Sequence, residues 1–200
     1  ITEIMAESPV IRLVRHSDGR ASWRFSDPAS GAQIESASVP SKDKRPLSIR
    51  KLTVRDATLI YAAEGAKPLR FDGVDLALDW PARDAPAEIT ASMAPAGVPV
   101  TLDLRIAGFA DFLEGAEQPL GAALRAGNGA VNFNGRGSLG GALVGDLLLD
   151  SPDMTRMLTA LGLPGVSLPD ALGERVVVET ALALTPGRAL SLREIDAELG

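Results

Sequence analysis

The sequence contains no cysteine and a single histidine, His16. Without thiolates it can form neither disulfides nor the usual structural zinc sites. One imidazole also excludes histidine clusters and Cys–His pairs, and His16 lies beside a predicted hairpin turn, where we interpret it as an exposed turn residue. No pair of acidic residues stands out from ordinary surface charge. The sequence therefore predicts a protein that is not an enzyme and that carries no metal or other cofactor.

Long apolar runs and excess positive charge are also missing. No apolar run approaches the roughly 20 residues that a membrane-spanning helix needs, and no signal peptide is visible. The 20 Lys and Arg residues are outnumbered by 26 Asp and Glu residues, which gives a net charge of −6. Because nucleic-acid affinity depends on cations that displace counterions, no nucleic-acid partner is expected.

The apolar residues that are present alternate with polar ones. In the stretch 98–106 every second residue is aliphatic: Val98, Val100, Leu102, Leu104 and Ile106. An extended strand places such residues on one face and the polar residues between them on the other. The stretch 176–184 has a similar alternation. These patterns predict a mainly β protein.

Turn signals connect the predicted strands. Asp18-Gly19 lies between the stretches 10–16 and 20–25, and Asn128-Gly129 lies between 120–126 and 130–134. Pro186-Gly187 separates the last two predicted strands. Asp-Gly and Asn-Gly favour tight hairpins because they accept positive φ angles. We therefore expect a mostly antiparallel sheet in which successive strands are neighbours.

One short segment has helical spacing instead. The apolar residues Met154, Met157, Leu158 and Leu161 follow a 3.6-residue period, and Gly162 is placed to end a helix. Ser151 is interpreted as the N-cap and Pro152 as the first helical residue. The sequence predicts a short amphipathic helix near 152–161, packed on the sheet.

Three predicted strands share a slip in their alternation. In the stretches 47–54, 69–78 and 190–199, apolar residues alternate, shift by one position at a polar pair, and alternate again. A β-bulge restores the facing of the side chains after such a slip and bends the strand. The repeated pattern predicts a curved sheet.

Two stretches are neither clearly strand nor clearly helix: a long segment rich in small and charged residues, and a glycine-rich pattern. Residues 26–46 are rich in Ser, Ala, Pro, Gly and charge, and we interpret them as a long loop. Gly135, Gly137 and Gly140 form a G-x-G-x-x-G pattern, but the residues that follow are an apolar run and not a helix. A dinucleotide site needs a helix there, so we interpret these glycines as part of a turn or a bent strand.

Four segments, in order, resemble the AsmA family of bacterial envelope proteins. Pro9 to Phe25 is similar to a family hairpin, with Ser22 where the family often carries Asn before the Trp. The stretches Ile49 to Tyr61 and Leu69 to Leu78 resemble the strands that follow it. Ser151 to Gly162 is similar to a helix nearer the C-terminal side. The four segments are distributed over most of the chain.

The resemblance implies a periplasmic β-groove, related to bridge-like lipid-transfer proteins and associated with outer-membrane lipid homeostasis. It also implies an inner-membrane anchor from an N-terminal helix that these 200 residues do not include. Because the sequence starts with Ile1 and its strand pattern runs almost to Gly200, we expect residues 1–200 to be one β-rich domain cut from a longer chain. The resemblance provides no catalytic residues.

The lipid hypothesis assigns residues to a groove and to headgroup contacts. Candidate groove residues are Val98, Val100, Leu102, Leu104 and Ile106, with Trp23 and Phe25 as lining or core residues. Lys42, Lys44 and Arg45, in a basic stretch that continues through Arg50, Lys51 and Arg55, are candidates for contacts with anionic headgroups. The alternative for this stretch is a solvated loop and strand face. The expected partner is a phospholipid or another envelope lipid. The alternative is a structural or protein-interaction module of the envelope in which the same aliphatic face is buried against its own chain. The sequence leaves the lipid, the direction of transfer and the oligomeric state open.

Overall fold

Eleven strands and two short helices form the described part of the protein. The computed structural model describes residues 2–15, 22, 49–66, 68–163, 175–185 and 190–199. The strands are β1 (Thr2–Glu7), β2 (Val10–Arg15), β3 (Ile49–Ala63), β4 (Leu69–Asp79), β5 (Ala87–Met93), β6 (Val100–Ile106), β7 (Gln118–Ala126), β8 (Gly129–Gly137), β9 (Leu143–Ser151), β10 (Val176–Leu184) and β11 (Ser191–Leu199). The helices are α1 (Phe109–Leu113) and α2 (Met154–Ala160). The prediction of a mainly β fold is confirmed.

All eleven strands belong to one open sheet. From β3 to β11 each strand pairs antiparallel with the next one along the chain. β1 and β2 lie end to end along β3 and are parallel to it, with Ile4 opposite Leu52 and Ile11 opposite Leu59. The predicted antiparallel order is therefore confirmed for most of the sheet, and the parallel edge is an addition that the sequence did not predict.

Each of the three predicted slips coincides with irregular pairing. In the pairing of β3 with β1, the register skips Arg50 between Ile49 and Lys51. Gly73 in β4 has a φ of 65° where the register with β3 shifts. Glu194 in β11 has a φ of 54° where the register with β10 shifts. Local bends at these positions agree with the predicted bulges.

A fourth bulge, at Asp56 in β3, was not predicted. Asp56 has a φ of 51° and donates its backbone N–H to the Asp75 carboxylate at 2.9 Å. Ser8, at the break between β1 and β2, has a φ of 49° and donates its hydroxyl to Asp56 Oδ2 at 3.0 Å. Irregularities in neighbouring strands thus meet in one region of the sheet and are linked by side-chain hydrogen bonds.

The two faces of the sheet differ in polarity. The apolar face is the side that carries Val100, Leu102, Leu104 and Ile106 of β6 and the residues directly opposite them on neighbouring strands. The polar face is the side that carries Thr101, Asp103 and Arg105 and their opposite residues. Strand alternation places the two sets on opposite sides of the same backbone.

The two helices lie on the apolar face at opposite ends of β6. Phe109 of α1 packs with Ile106 and Ala87, and its ring meets Trp80 edge to face at 5.1 Å. Met157 and Ala160 of α2 pack with Val100 and Ala126. A third apolar cluster surrounds Val54, Ala57 and Val74 on β3 and β4. The core of the described residues is therefore divided into three small clusters.

Helix α2 confirms the predicted amphipathic helix, with a correction at its start. It runs from Met154 to Ala160, and its N-cap is Asp153, whose carboxylate accepts the Arg156 N–H at 2.8 Å. Ser151 is not the cap, because it is the last residue of β9 and lies opposite Val176. Pro152 is not the first helical residue either, because the helix begins at Met154. Asp153 and Ser151 are both residue types that favour N-caps.

Helix α1 and one hairpin turn also differ from the sequence-based expectations. The sequence predicted one helix, whereas the described residues contain two, and α1 has only five residues. The hairpin between β7 and β8 is confirmed, but its turn residues are Gly127 and Asn128, since Ala126 pairs with Gly129. Gly127, at the first turn position, has a φ of 60°, as tight hairpins of this kind require.

The glycines of the G-x-G-x-x-G pattern do not open a helix. Gly135 and Gly137 lie within β8. A Cβ added at Gly135 would lie 2.6 Å from the Cα of Gly145 on β9 and would collide with the Val144 carbonyl oxygen. Gly135 and Gly145 are opposite each other on the apolar face. The backbones of β8 and β9 approach each other so closely here that only glycine fits at both positions.

Several sequence-based predictions lie outside the described residues. These are His16, the turn at Asp18-Gly19, Trp23 and Phe25, the loop 26–46 with Lys42, Lys44 and Arg45, and the turn at Pro186-Gly187. Ser22 is described, and its N–H donates to the Val14 carbonyl at 2.9 Å.

Candidate ligand-binding faces of the sheet

The predicted aliphatic stripe forms one line on the apolar face, but its members differ in exposure. Val100 and Ile106 are buried beneath α2 and α1, with 1% and 2% of their surfaces exposed. Leu102 and Leu104, between them, are half-buried. Val98, before the strand begins, is half-buried against the cluster that α2 covers. The structure therefore brings the five residues together and leaves the centre of the stripe accessible.

The accessible centre extends across several strands. Leu104 lies opposite Ile89 on β5 and Ala122 on β7, and that row continues to Phe133 on β8 and Leu147 on β9. All are half-buried except Phe133, of which 8% is exposed. The described helices contribute five and seven residues and pack at the two ends of β6. No second layer of described residues lies over the middle of this apolar row.

A trough of about 770 Å³ crosses the polar face. On β5 its lining includes Glu88 and Thr90, and on β11 it includes Glu194 and Asp196 but not Ile195, which lies between them on the apolar side. The trough is therefore on the opposite side of the sheet from the aliphatic stripe. The sequence places the polar residues that alternate with the apolar ones on this opposite face, but it did not predict a trough between them.

Ion pairs and a hydrogen bond between neighbouring strands hold polar side chains of the trough in place. Arg105 Nη1 lies 3.0 Å from Glu88 Oε1, and Arg125 Nη1 lies 3.2 Å from Asp103 Oδ2. Thr90 donates its hydroxyl to the same Asp103 side chain at 3.2 Å. These side chains are well exposed, so each ion pair contributes little to stability. They do fix the positions of charges along the trough.

Metal-binding side chains do not cluster in the described part of the chain. The described residues contain no group of three or more His, Cys, Asp or Glu residues that could hold a metal ion. Away from the trough, hydrogen bonds from Arg70 and Thr58 lower the pKa of the Asp72 carboxyl. Asp72 is exposed and forms a surface ion pair with Arg70, whose Nη2 lies 2.8 Å from Asp72 Oδ1. What the arrangement can do chemically is to bind through an apolar face and a charged face.

The part of the candidate headgroup stretch that the structure describes lies on β3. Arg50, Lys51 and Arg55 are all exposed. Lys51 Nζ is 3.4 Å from Glu3 Oε1 on β1. This end of the stretch is therefore partly neutralised at the parallel edge of the sheet.

Comparisons with known proteins provide no identification. No protein-family model, curated protein or solved structure matches this chain. Among the described residues, no helix has the length and apolar character needed to span a membrane. The AsmA resemblance therefore stays a prediction from the sequence.

Proposed function

We propose that this protein handles lipids in the bacterial envelope and holds their acyl chains on the apolar face of its sheet. The observation that carries the proposal is the mostly half-buried row around Leu104, which runs between the two short helices at the ends of β6 and has no described layer over it. Apolar sheet faces are normally covered by a second layer of secondary structure. A ligand that supplies this layer gains about 0.8 kcal/mol for each methylene group removed from water.

The dimensions of the row fit an acyl chain. From Ile89 on β5 to Leu147 on β9 the row crosses four strand-to-strand steps, or roughly 19 Å at about 4.8 Å per step. The acyl chains of one leaflet occupy about half of the ~30 Å hydrocarbon core of a bilayer. The two lengths are similar, roughly 15 Å against roughly 19 Å, so one acyl chain would cover most of the row.

The resemblance to the AsmA family adds the proposed setting. In that setting the domain lies in the periplasm, is anchored to the inner membrane by a segment outside these 200 residues, and contributes to outer-membrane lipid homeostasis. The alternative, a structural or interaction module, would bury the same face against the protein's own chain. The two hypotheses differ in what occupies the row around Leu104.

Native mass spectrometry of the purified protein, with extraction of bound lipid, tests the proposal. Leu102→Asp places a carboxylate on the apolar face, and we expect bound phospholipid to be lost. Thr101→Asp is the matched control, because Thr101 is the preceding residue of β6, is also half-buried, and faces the polar side opposite Arg125. Circular dichroism establishes that both variants keep their strand content.

A second measurement uses the unmodified protein and does not depend on how the variants fold. We expect a fluorescent fatty-acyl probe to bind and to be displaced by phospholipid vesicles but not by the soluble headgroup alone. Lipid-free protein that ignores both the probe and the vesicles would contradict the proposal and favour the interaction module.

A further inference from the structure

Helix α2 covers one line of residues on the apolar face. We call this line the covered row; it crosses the strands from β6 to β9, and its members are all buried: Val100, Ala126, Gly129 and Ser151. Met157 of α2 packs with Val100 and Ala126. A Cβ added at Gly129 would lie 3.1 Å from Met157 Cγ, so the glycine leaves the space that the methionine occupies.

Two uncovered rows run parallel to the covered row. The first lies two residues further along each strand, and we call it the middle row: Leu102, Leu124, Val131 and Leu149. The second is the row around Leu104. Successive rows are roughly 6.7 Å apart along each strand. Three members of the middle row pack against the cluster that contains Met157, whereas Leu104, Ala122 and Leu147 belong to neither helix's cluster. The middle row is therefore the border of the surface that α2 covers.

The space between the helices is narrow when α2 is in place. On the far side of the Leu104 row, α1 covers Ile106 and its cluster includes Leu120. One acyl chain can lie along the Leu104 row without contacting either cluster. A second chain beside the first would need the middle row and the space above it, which α2 borders.

Apolar packing alone attaches α2 to the sheet. Its buried residues are Met157 and Ala160. Within the described part of the chain, the hydrogen bonds of the segment 153–163 stay inside that segment. No ion pair between described residues includes Arg156. The helix can therefore leave the sheet without breaking a described hydrogen bond to it.

A buried hydroxyl group beneath α2 opposes the covered arrangement. Ser151 Oγ has no hydrogen-bond partner within the described structure, and it lies beside Met157 around Gly129. Burial of a polar group without a partner is unfavourable. The penalty ends when the helix moves and water reaches the hydroxyl. Moving α2 is therefore less costly than the burial of Met157 and Ala160 alone would make it, as expected of an element that opens locally.

We propose that α2 is a displaceable cover, which the second acyl chain of a two-chain lipid moves off the sheet. The first chain lies along the Leu104 row beside the helix. The second chain takes the middle row and supplies the apolar contacts to Val100 and Ala126 that Met157 makes in its absence. A one-chain lipid leaves α2 in place. This inference rests on the proposed lipid function, and it specifies how that site distinguishes lipids with one chain from lipids with two.

A disulfide that holds α2 in place tests the proposal. A Cβ added at Gly127 would lie 3.6 Å from the Ala160 Cβ, within the range of about 3.5–4.5 Å that disulfides adopt. The chain contains no cysteine, so Gly127→Cys/Ala160→Cys can form one defined bond, and its reduced form is the matched control. The single variant Gly127→Cys controls for the strain of a side chain at a φ of 60°. The ligands are a lysophospholipid and a phospholipid with the same headgroup, chain length and fluorescent label.

We expect the oxidised double variant to bind the lysophospholipid as tightly as the reduced form does. Its affinity for the two-chain phospholipid should fall at least about tenfold and return on reduction, because the locked helix keeps the second chain from the middle row. Equal affinity of the oxidised and reduced forms for the phospholipid would overturn the proposal. So would an equal loss of both lipids on oxidation, since α2 would then control the Leu104 row as well. If the unmodified protein bound neither lipid, the proposed function itself would be contradicted.

Hydrogen exchange in the unmodified protein gives a second test that needs no variant. The N–H groups of Met157 and Leu161 form the helical hydrogen bonds of α2. A helix of seven residues is not stable without the sheet, so we expect the two-chain phospholipid to speed exchange at these amides and the lysophospholipid to leave it unchanged. Unchanged or slower exchange in α2 with the phospholipid bound would overturn the proposal while leaving lipid binding itself established.

Discussion

Removing each of two buried hydroxyl groups in the sheet should change the free energy of unfolding in opposite directions. Ser151 is fully buried and Thr180 is 5% exposed, and they are the buried polar side chains of the described residues. Thr180 Oγ1 donates to the Arg193 carbonyl at 2.9 Å. Ser151 Oγ has no hydrogen-bond partner within the described structure, because it lies at the end of β9 among Gly129 and the Met157 side chain of α2. One hydroxyl is satisfied and the other is not.

The free energy of unfolding should therefore rise in Ser151→Ala and fall in Thr180→Val. A buried polar group without a partner costs about 1–3 kcal/mol, whereas a hydrogen bond of this kind contributes about 1 kcal/mol. Alanine removes one atom from the Ser151 site, so little packing is lost. We expect a gain of about 1 kcal/mol, or a rise in Tm of roughly 2–4 °C for a chain of this size, and a loss of about 1 kcal/mol for the threonine variant.

Urea denaturation followed by circular dichroism measures both changes, and the unfolding slope should stay the same in both variants. The reasoning depends on the two signs more than on the magnitudes. If Ser151→Ala lost as much stability as Thr180→Val, its hydroxyl would have to be hydrogen-bonded in solution, and the described contact between α2 and β9 would be wrong.

Two further predictions concern the bulged strands and the surface charge. Gly73→Ala should lower the free energy of unfolding by about 1–2 kcal/mol, because the φ of 65° at this position is unfavourable for alanine. Gly121→Ala is the control, because the space around its added Cβ is equally open but its φ is not positive. It should leave the free energy of unfolding unchanged or raise it slightly in the same urea assay. The pKa of Asp72 is lowered chiefly by its hydrogen bond from Arg70. This carboxyl therefore stabilises the folded protein above its ordinary pKa, and the contribution is lost as the pH falls through the lowered value. In Arg70→Gln the pKa of Asp72 should rise in an NMR titration, and an unchanged value would contradict the described pair.

Features that depend on neighbouring residues in the sequence were predictable. The alternation in 98–106 correctly indicated a strand and the face that its aliphatic residues share, because the side-chain period of a strand is a local property. The slips near Gly73 and Glu194 correctly indicated bulges, since a strand with one buried face must restore its facing after an inserted residue. Burial along β6 was not predictable in the same way, because Val100 and Ile106 differ from Leu104 only through the helices above them.

Features that depend on distant contacts were missed. The parallel pairing of β1 and β2 with β3 joins residues far apart in the sequence, and their alternating patterns are equally compatible with antiparallel neighbours. Helix α1, with five residues, is too short to establish a 3.6-residue pattern. The trough on the polar face depends on the shape of seven adjacent strands together, and no single strand contains its signal.

The order of strands in the sheet also has a consequence for how the chain folds. From β3 to β11 every pairing joins consecutive strands. Most of these pairings close a short loop and can add to the edge that already exists, although the connection from β9 to β10 is longer and contains α2. The edge formed by β1 and β2 is different, because contacts such as that between Ser8 and Asp56 join residues 48 positions apart. Loop-closure entropy makes such distant contacts slow to form. We therefore expect β1 and β2 to join the sheet last, after β3 has already paired on its other side with β4.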